Sequence, residues 1–254
     1  MRLLIDNSNT RTKFALTEPG EEEDRPLSSW RATVPTPKLT SASLQQALAG
    51  QFISSVVLCS VVPRAARLIQ SHFQDLPFHQ ISWQSSLPLS IDYPQPSQIG
   101  ADRLANAAGA LTHYGVPAIV IDFGTAVTFD VISAGGAYLG GAIAPGTAAL
   151  RDYLHRRTAL LPAIELVEPR SPIGRSTSEA MQVGAVIGYR GLIREILTET
   201  TRVLSPAADS PAPVIIATGG DAALLAEKVD RIEKIDPDLT LEGIRLIGAL
   251  NLPD

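Results

Sequence analysis

The feature that most constrains this chain is a motif that occurs twice: a short apolar run that ends on an aspartate and breaks into a polar turn. Leu3-Leu4-Ile5-Asp6 precedes Asn9-Thr10, and Val120-Ile121-Asp122 precedes Gly124-Thr125. The two aspartates stand 116 positions apart (122 less 6), close to half of the 254 residues. A unit repeated once at that interval predicts a duplicated fold, each half opening with a strand, a carboxylate and a tight turn.

Between and after the two motifs, strand and helix patterns alternate. Residues 12–17 return as a strand, 39–49 before Gly50 read as a helix, 52–62 as a buried strand, and Pro63 opens a helix to about residue 74. The alanine-rich stretch after Gly100 predicts a helix stopped by Gly115, and 118–121 and 126–132 predict strands. Residues 138–144 read as a glycine-rich pair of short strands, followed by a helix after Pro145-Gly146 and a long helix over about 178–203. Residues 214–217 are a strand and a further helix begins near Asp221. Residues 18–37, with an acidic cluster at 21–24, read as a solvated loop or a weak edge hairpin, and 205–213 as a flexible connection. The expectation is a layered α/β chain with an N-terminal lobe at 1–115, a C-terminal lobe at 116–254 and a hinge near 115–118.

Composition narrows the function classes. With 45% hydrophobic and 19% charged residues, below the ~25% charged of ordinary globular chains, the protein can bury a full core. Its net charge of -5 gives no general attraction for nucleic-acid phosphates or anionic lipid. The lone Cys59 excludes an intrachain disulfide and a multi-thiolate metal site. No apolar stretch approaches the ~20 residues that span a bilayer, and Asp6 interrupts the N-terminus before a signal-peptide core could form, so a cytoplasmic location is expected. No glycine precedes a lysine, no glycines stand at i, i+2 and i+5, and no serine is centred between glycines two residues away on each side. Nor do His72, His79, His113 and His155 pair as zinc ligands. Phosphate-loop, dinucleotide, serine-hydrolase and zinc chemistry all lose support.

What remains is carboxylates at strand ends beside small polar residues. A carboxylate there can hold hydrated Mg²⁺ while turn amides and hydroxyls face phosphate oxygens. Taken singly, Asp6 and Asp122 read as caps of their own turns; their occurrence in both halves favours phosphate binding. Lys13, one of four lysines and on the same strand face as Arg11, suits neutralisation of a β- or γ-phosphate, and reads equally well as a solvated edge-strand lysine. Asp102, in Gly100-Ala101-Asp102-Arg103, reads as a helix N-cap. The same position lets it accept a hydroxyl proton while Arg103 fixes an anionic group. Ser176 and Glu179 fit a helix-start capping box, which leaves the Thr177 hydroxyl for a ligand. Thr218-Gly219-Gly220 is either a plain turn or a place where a flat base approaches the backbone, with Asp221 as a cap.

In this order and spacing the set resembles the type III pantothenate kinases, a family of the actin, Hsp70 and sugar-kinase superfamily, over nearly the whole chain. Tyr93 three residues before Pro96, Asp130 after Val127-Thr128, Leu139-Gly140-Gly141, Pro145-Gly146 and Gly174-Arg175-Ser176-Thr177 complete the likeness. The resemblance implies two related ribonuclease-H-like (actin-like ATPase) lobes with a cleft between them. It implies transfer of the ATP γ-phosphate to pantothenate, giving 4'-phosphopantothenate in the first step of coenzyme A synthesis. By the same resemblance Asp102 is the general base, and Asp6, Asn9, Thr10 and Lys13 form a first phosphate turn, with Mg²⁺ on Asp6. Asp122, Gly124 and Thr125 form the second turn. Tyr93, Gly100, Arg103 and Thr177 contact pantothenate, and Asp130 holds K⁺ or NH₄⁺. A homodimer without nucleic-acid or membrane partners is implied. The alternatives are a related sugar or small-acid kinase and a non-catalytic accessory regulator; the intact Asp102, Asp122 and Asp130 argue against the latter. One departure stands out: the family usually carries glycine where this chain has Ser8, so a strained first turn is expected if that position needs positive φ.

Overall fold

Residues 2–7 keep six consecutive side chains from solvent, as a strand covered on both faces must. In the computed structural model this strand is β1 (Arg2–Asn7). It is followed by β2 (Arg11–Thr17), β3 (Arg31–Pro35), α1 (Ser41–Ala47), β4 (Ser55–Ser60), α2 (Pro63–His72), β5 (Phe78–Gln80), β6 (Ser90–Ile91) and α3 (Ala101–Tyr114). Then come β7 (Ala118–Phe123), β8 (Ala126–Ile132), β9 (Ala137–Pro145), α4 (Thr147–Arg157), α5 (Thr177–Val183) and α6 (Tyr189–Leu204). β10 (Val214–Thr218), α7 (Ala222–Ala226), β11 (Lys234–Ile235) and α8 (Leu239–Asn251) complete the chain. The structure describes residues 1–18, 27–205, 207 and 209–252; the acidic cluster at 21–24 and part of the 205–213 connection lie outside them. No helix among the described residues is long and apolar enough to cross a membrane.

The chain divides into two units, Met1–Tyr114 with Asp238–Asp254, and Gly115–Pro237. In the first, the strand order is β3-β2-β1-β4-β5. β1 runs antiparallel to β2 and parallel to β4. In the second, five strands run β9-β8-β7-β10-β11, with β7 antiparallel to β8 and parallel to β10. Each unit thus has the same topology, an antiparallel meander continued by parallel crossovers, which is the duplication that the repeated motif predicted. The first core joins Leu3, Ile5, Phe14, Leu16, Val56 and Leu58 of the sheet to Leu44 and Ile69 of the helices. The second joins Ile119, Ile121, Phe123, Val127 and Phe129 to Val186, Tyr189, Ile193, Leu197 and Leu225.

Three local readings change. Residues 138–144 belong to a single strand, β9, whose pairing with β8 slips near Val131 and Ile132. The long helix is interrupted by a five-residue π turn, Gly184–Gly188, between α5 and α6. The expected C-terminal lobe at 116–254 loses its last segment to the first unit. The physical reason is α8, which buries residues on nearly every side, among them Leu239, Leu241, Ile244, Leu246 and Ile247. A helix that apolar all round needs two walls. α3 and the sheet of the first unit supply them, since a side-chain atom at Gly243 would meet the Ala105 backbone and one at Gly248 would meet Val57.

Gly243→Ala tests that close approach. Alanine gains about 1 kcal/mol of helix propensity over glycine, but its methyl would meet rigid backbone, and overpacking of that kind costs about 1–3 kcal/mol or more. The variant should unfold at a lower urea concentration than the parent with an unchanged slope.

Candidate active site

The first unit builds one carboxylate pair. β1 delivers Asp6 at the strand end, and the antiparallel register sets it opposite Lys13, whose Nζ lies 3.2 Å from Asp6 Oδ2. Lys13 is therefore partnered by Asp6 while remaining open to solvent. In the turn that follows, Ser8 N and Ser8 Oγ each donate to Arg11 O at 3.0 Å. No non-glycine residue among those described has positive φ, so the expected strain at Ser8 is absent. Asn9 and Thr10 are exposed at the tip. The turn is held from behind by residues the sequence did not single out. Thr36 Oγ1 donates to Ser8 O at 2.7 Å, and Asn7 Nδ2 to Thr12 Oγ1 at 2.8 Å. Ser60 Oγ donates to Asn7 Oδ1 at 2.6 Å.

Asp102 is the second residue of α3 rather than its cap: the amides of Arg103 and Leu104 bond instead to Gly100 O at 3.1 and 3.2 Å. Its Oδ1 accepts from Arg103 N at 2.8 Å. Burial pushes the Asp102 carboxyl up from its ordinary value. The Arg103 amide opposes the rise, the Asp6 charge adds to it, and the Arg103 guanidinium pulls it back. A Cβ on residue 100 would lie 2.5 Å from Asp102 Oδ1, so glycine there leaves room for the carboxylate. Tyr93 and Arg103 are half-buried. Asp6 and Asp102 thus stand within electrostatic reach of each other in this unit.

The second unit knits three loops around Asp122. Asp122 pairs in register with Thr128, and Gly124 and Thr125 form an exposed turn in which Gly124 N donates to Ala126 O at 3.2 Å. Gly146 N reaches that turn at Thr125 O, 3.2 Å. Gly219, at φ +94, lies so close that a Cβ there would be 2.5 Å from Asp122 Oδ1. Asp221 makes no side-chain cap; its carboxylate accepts from the Thr147 hydroxyl. Tyr189 Oη donates to Pro145 O at 2.7 Å, and burial, helped by the Asp221 charge, pushes this phenol up to about 12. Sequence reading missed Tyr189 and Thr147, since an inward tyrosine on a helix has the pattern of ordinary core.

Asp130 is fully buried and accepts from Tyr138 Oη at 3.0 Å, with Thr128 Oγ1 at 3.5 Å from its other oxygen. Thr177 opens α5 behind a Ser176 cap that accepts from Glu179 N at 3.2 Å; Glu179 reaches back to Arg175 N at 2.7 Å. Thr177 is exposed and lines an apolar cavity of about 420 Å³ with Leu154, Leu161, Ile164, Met181 and Gly184. Among the described residues no group of three or more His, Cys, Asp or Glu could hold a metal. Single carboxylates at strand ends suit Mg²⁺, which takes one or two protein oxygens and completes its shell with phosphate and water.

The sequence matches the family model of type III pantothenate kinase over residues 2–199. It is 53% identical to a type III pantothenate kinase of Akkermansia muciniphila over 98% of this chain and 99% of the relative. A second relative with the same description, from Methylacidiphilum infernorum, is 40% identical over 98% and 88%. Among solved structures, a Campylobacter jejuni protein assigned to the Baf family of transcriptional activators matches with TM-score 0.62 at 21% identity, covering 97% and 96%. A Sinorhizobium meliloti protein assigned as a 2-dehydro-3-deoxygalactonokinase matches with TM-score 0.58 at 12%, covering 98% of each chain. The last two similarities concern the fold alone.

Asp102→Asn should raise the thermal midpoint at neutral pH. The amide keeps an acceptor for Arg103 N but removes a charge whose burial raises its pKa. A raised carboxyl costs stability when ionised and nothing when protonated. The advantage should therefore fade as pH falls from the raised native value toward the ordinary carboxylate value and vanish below it, which paired melts at neutral and acid pH would show.

Proposed function

The chain belongs to the type III pantothenate kinase family, and from that premise we propose how its residues move the γ-phosphate of ATP to the primary hydroxyl of pantothenate. The product is 4'-phosphopantothenate, the first intermediate on the way to coenzyme A. The observation that carries the assignment is the Asp102 carboxylate, poorly solvated beside Asp6 and with one oxygen already taken by the Arg103 amide.

Phosphoryl transfer asks for alignment and charge neutralisation more than for covalent help. Asp102 Oδ2 receives the hydrogen of the pantothenate hydroxyl, orienting the oxygen and taking its proton as the bond to the γ-phosphorus forms and the bond from that phosphorus to the β–γ bridging oxygen breaks, releasing ADP. A carboxyl pushed up from its usual range is a better match to that proton than an ordinary aspartate. Asp6, Asn9, Thr10 and Lys13 make the first phosphate turn, with Lys13 offering positive charge to the β- and γ-oxygens. Asp122, Gly124 and Thr125 make the second. Asp6 would hold the Mg²⁺ that accompanies ATP, which when bound would neutralise phosphate charge. Arg103 pairs with the pantothenate carboxylate, Tyr93 and Thr177 give the acceptor its shape and a hydroxyl contact, and Gly100 keeps the Asp102 carboxylate in place.

The family's monovalent cation, K⁺ or NH₄⁺, belongs to the same proposal with Asp130 as its ligand. Tyr138 donates to one Asp130 oxygen and Thr128 lies at the other. No step depends on the ion there. A homodimer acting in the cytoplasm completes the proposal.

Asp102→Asn should fold and lower turnover about 100-fold or more, the range of lost acid–base catalysis. A coupled assay with pantothenate, ATP, Mg²⁺ and K⁺ reads it. In the parent, kcat/KM should fall at acid pH as Asp102 becomes protonated, starting above the ordinary carboxylate range, and the variant should lack that limb. Near-full phosphorylation by the variant would remove Asp102 from the mechanism.

A further inference from the structure

Residues 158–176, between α4 and α5, form neither helix nor strand. Two of them, Leu161 and Ile164, line the cavity that also carries Thr177, and Leu166 packs on the core of the second unit. Four positions beyond Ile164 the stretch is tied down by Glu168. Arg190 grips that carboxylate with both arms, Nη1 at 3.1 Å from Oε1 and Nη2 at 2.7 Å from Oε2. Lys228 Nζ adds a third contact at 2.8 Å.

The two cations differ in kind. Arg190 is only 4% exposed, and its guanidinium is fixed by α7, donating to Leu224 O at 2.6 Å and Leu225 O at 3.3 Å. Lys228 is well exposed and can move. Arg190 therefore presents a rigid fork in a set position, and the carboxylate docks on it. Hydrogen bonds from Arg190, then from Lys228, hold the Glu168 carboxyl down to about 2, so it stays charged at any pH where the enzyme works. Arg190 also sits two residues past the π turn, whose Gly184 and Ala185 line the same cavity.

We propose that the Glu168–Arg190 clamp positions the acceptor pocket: it sets the gap between the wall made by Leu161 and Ile164 and the α5 wall that carries Thr177, and so governs affinity for pantothenate without touching it. This rests on Thr177 being a pantothenate contact. Glu168 is a positioning residue, and its loss should change binding of one substrate while leaving the chemical step alone.

Steady-state kinetics on the full chain separates the possibilities. Glu168→Gln keeps the side-chain shape and removes the charge; the KM for pantothenate should rise about tenfold, with kcat and the KM for ATP within about twofold. Lys228→Met, which removes only the mobile arm, should leave all three constants within about twofold. Thr177→Val should raise the pantothenate KM on its own. If Glu168→Gln leaves that KM unchanged while Thr177→Val raises it, the clamp is refuted and the pocket assignment stands. A silent Thr177→Val removes the pocket assignment and the clamp with it. Loss of kcat or of ATP affinity in Glu168→Gln as large as the pantothenate effect marks general loosening, and an equal effect in Lys228→Met would take the role from Arg190; either overturns the proposal.

Discussion

A carboxylate at the end of a fully buried strand is the constraint around which this protein is arranged. β1 hides every side chain it carries, Asp6 included, and a buried charge is tolerated only with a partner or hydrogen bonds at hand. The antiparallel return of β2 answers this by setting Lys13 opposite Asp6. Behind the turn, Asn7, Thr36 and Ser60 form a polar truss in which Thr36 takes up the Ser8 carbonyl. The same strand–turn–strand unit opens the second sheet, where the residue facing Asp122 is Thr128. The duplicated frames are alike in topology and different in charge: one hairpin offers a cation, the other hydroxyls and bare backbone.

Much of this was legible in the sequence because the repeated motif is local. Strand, aspartate and turn lie within about ten residues of one another, where periodicity and turn chemistry speak directly. The helix at 101–114 and the strands at 118–123 and 126–132 were readable for the same reason. The roles of Asn7 and Thr36 were not, since apart from the Asn7–Thr12 bond their side-chain hydrogen bonds cross 24 to 53 positions and leave no local signature. Asp102 was read two positions early, as a cap: Asp-Arg after glycine looks like a helix start, and only the backbone shows that Gly100 supplies the first carbonyl.

α8 escaped notice for a different reason. A helix buried on nearly all sides loses the polar stripe that marks an amphipathic one, and residues 239–251 offer little contrast between faces. That omission moved the C-terminal segment into the wrong unit. The fold returns the end of the chain to its beginning, with Arg2 donating to the carbonyl of Leu252 and α8 lying against the first sheet's helix. Sequence order and spatial membership part company wherever a terminal helix travels home.

The wide turn at Gly184–Gly188 decides where this helix can absorb a change of length. An α-helix advances about 100° per residue, and the residues after the turn, Tyr189, Arg190, Ile193 and Leu197, all point inward. A π turn closes with one residue more than an α turn, so dropping one residue there would leave a regular helix with that row close to its present phase. The same loss inside α6 would rotate everything after it by about 100° and take Ile193 and Leu197 out of the core together.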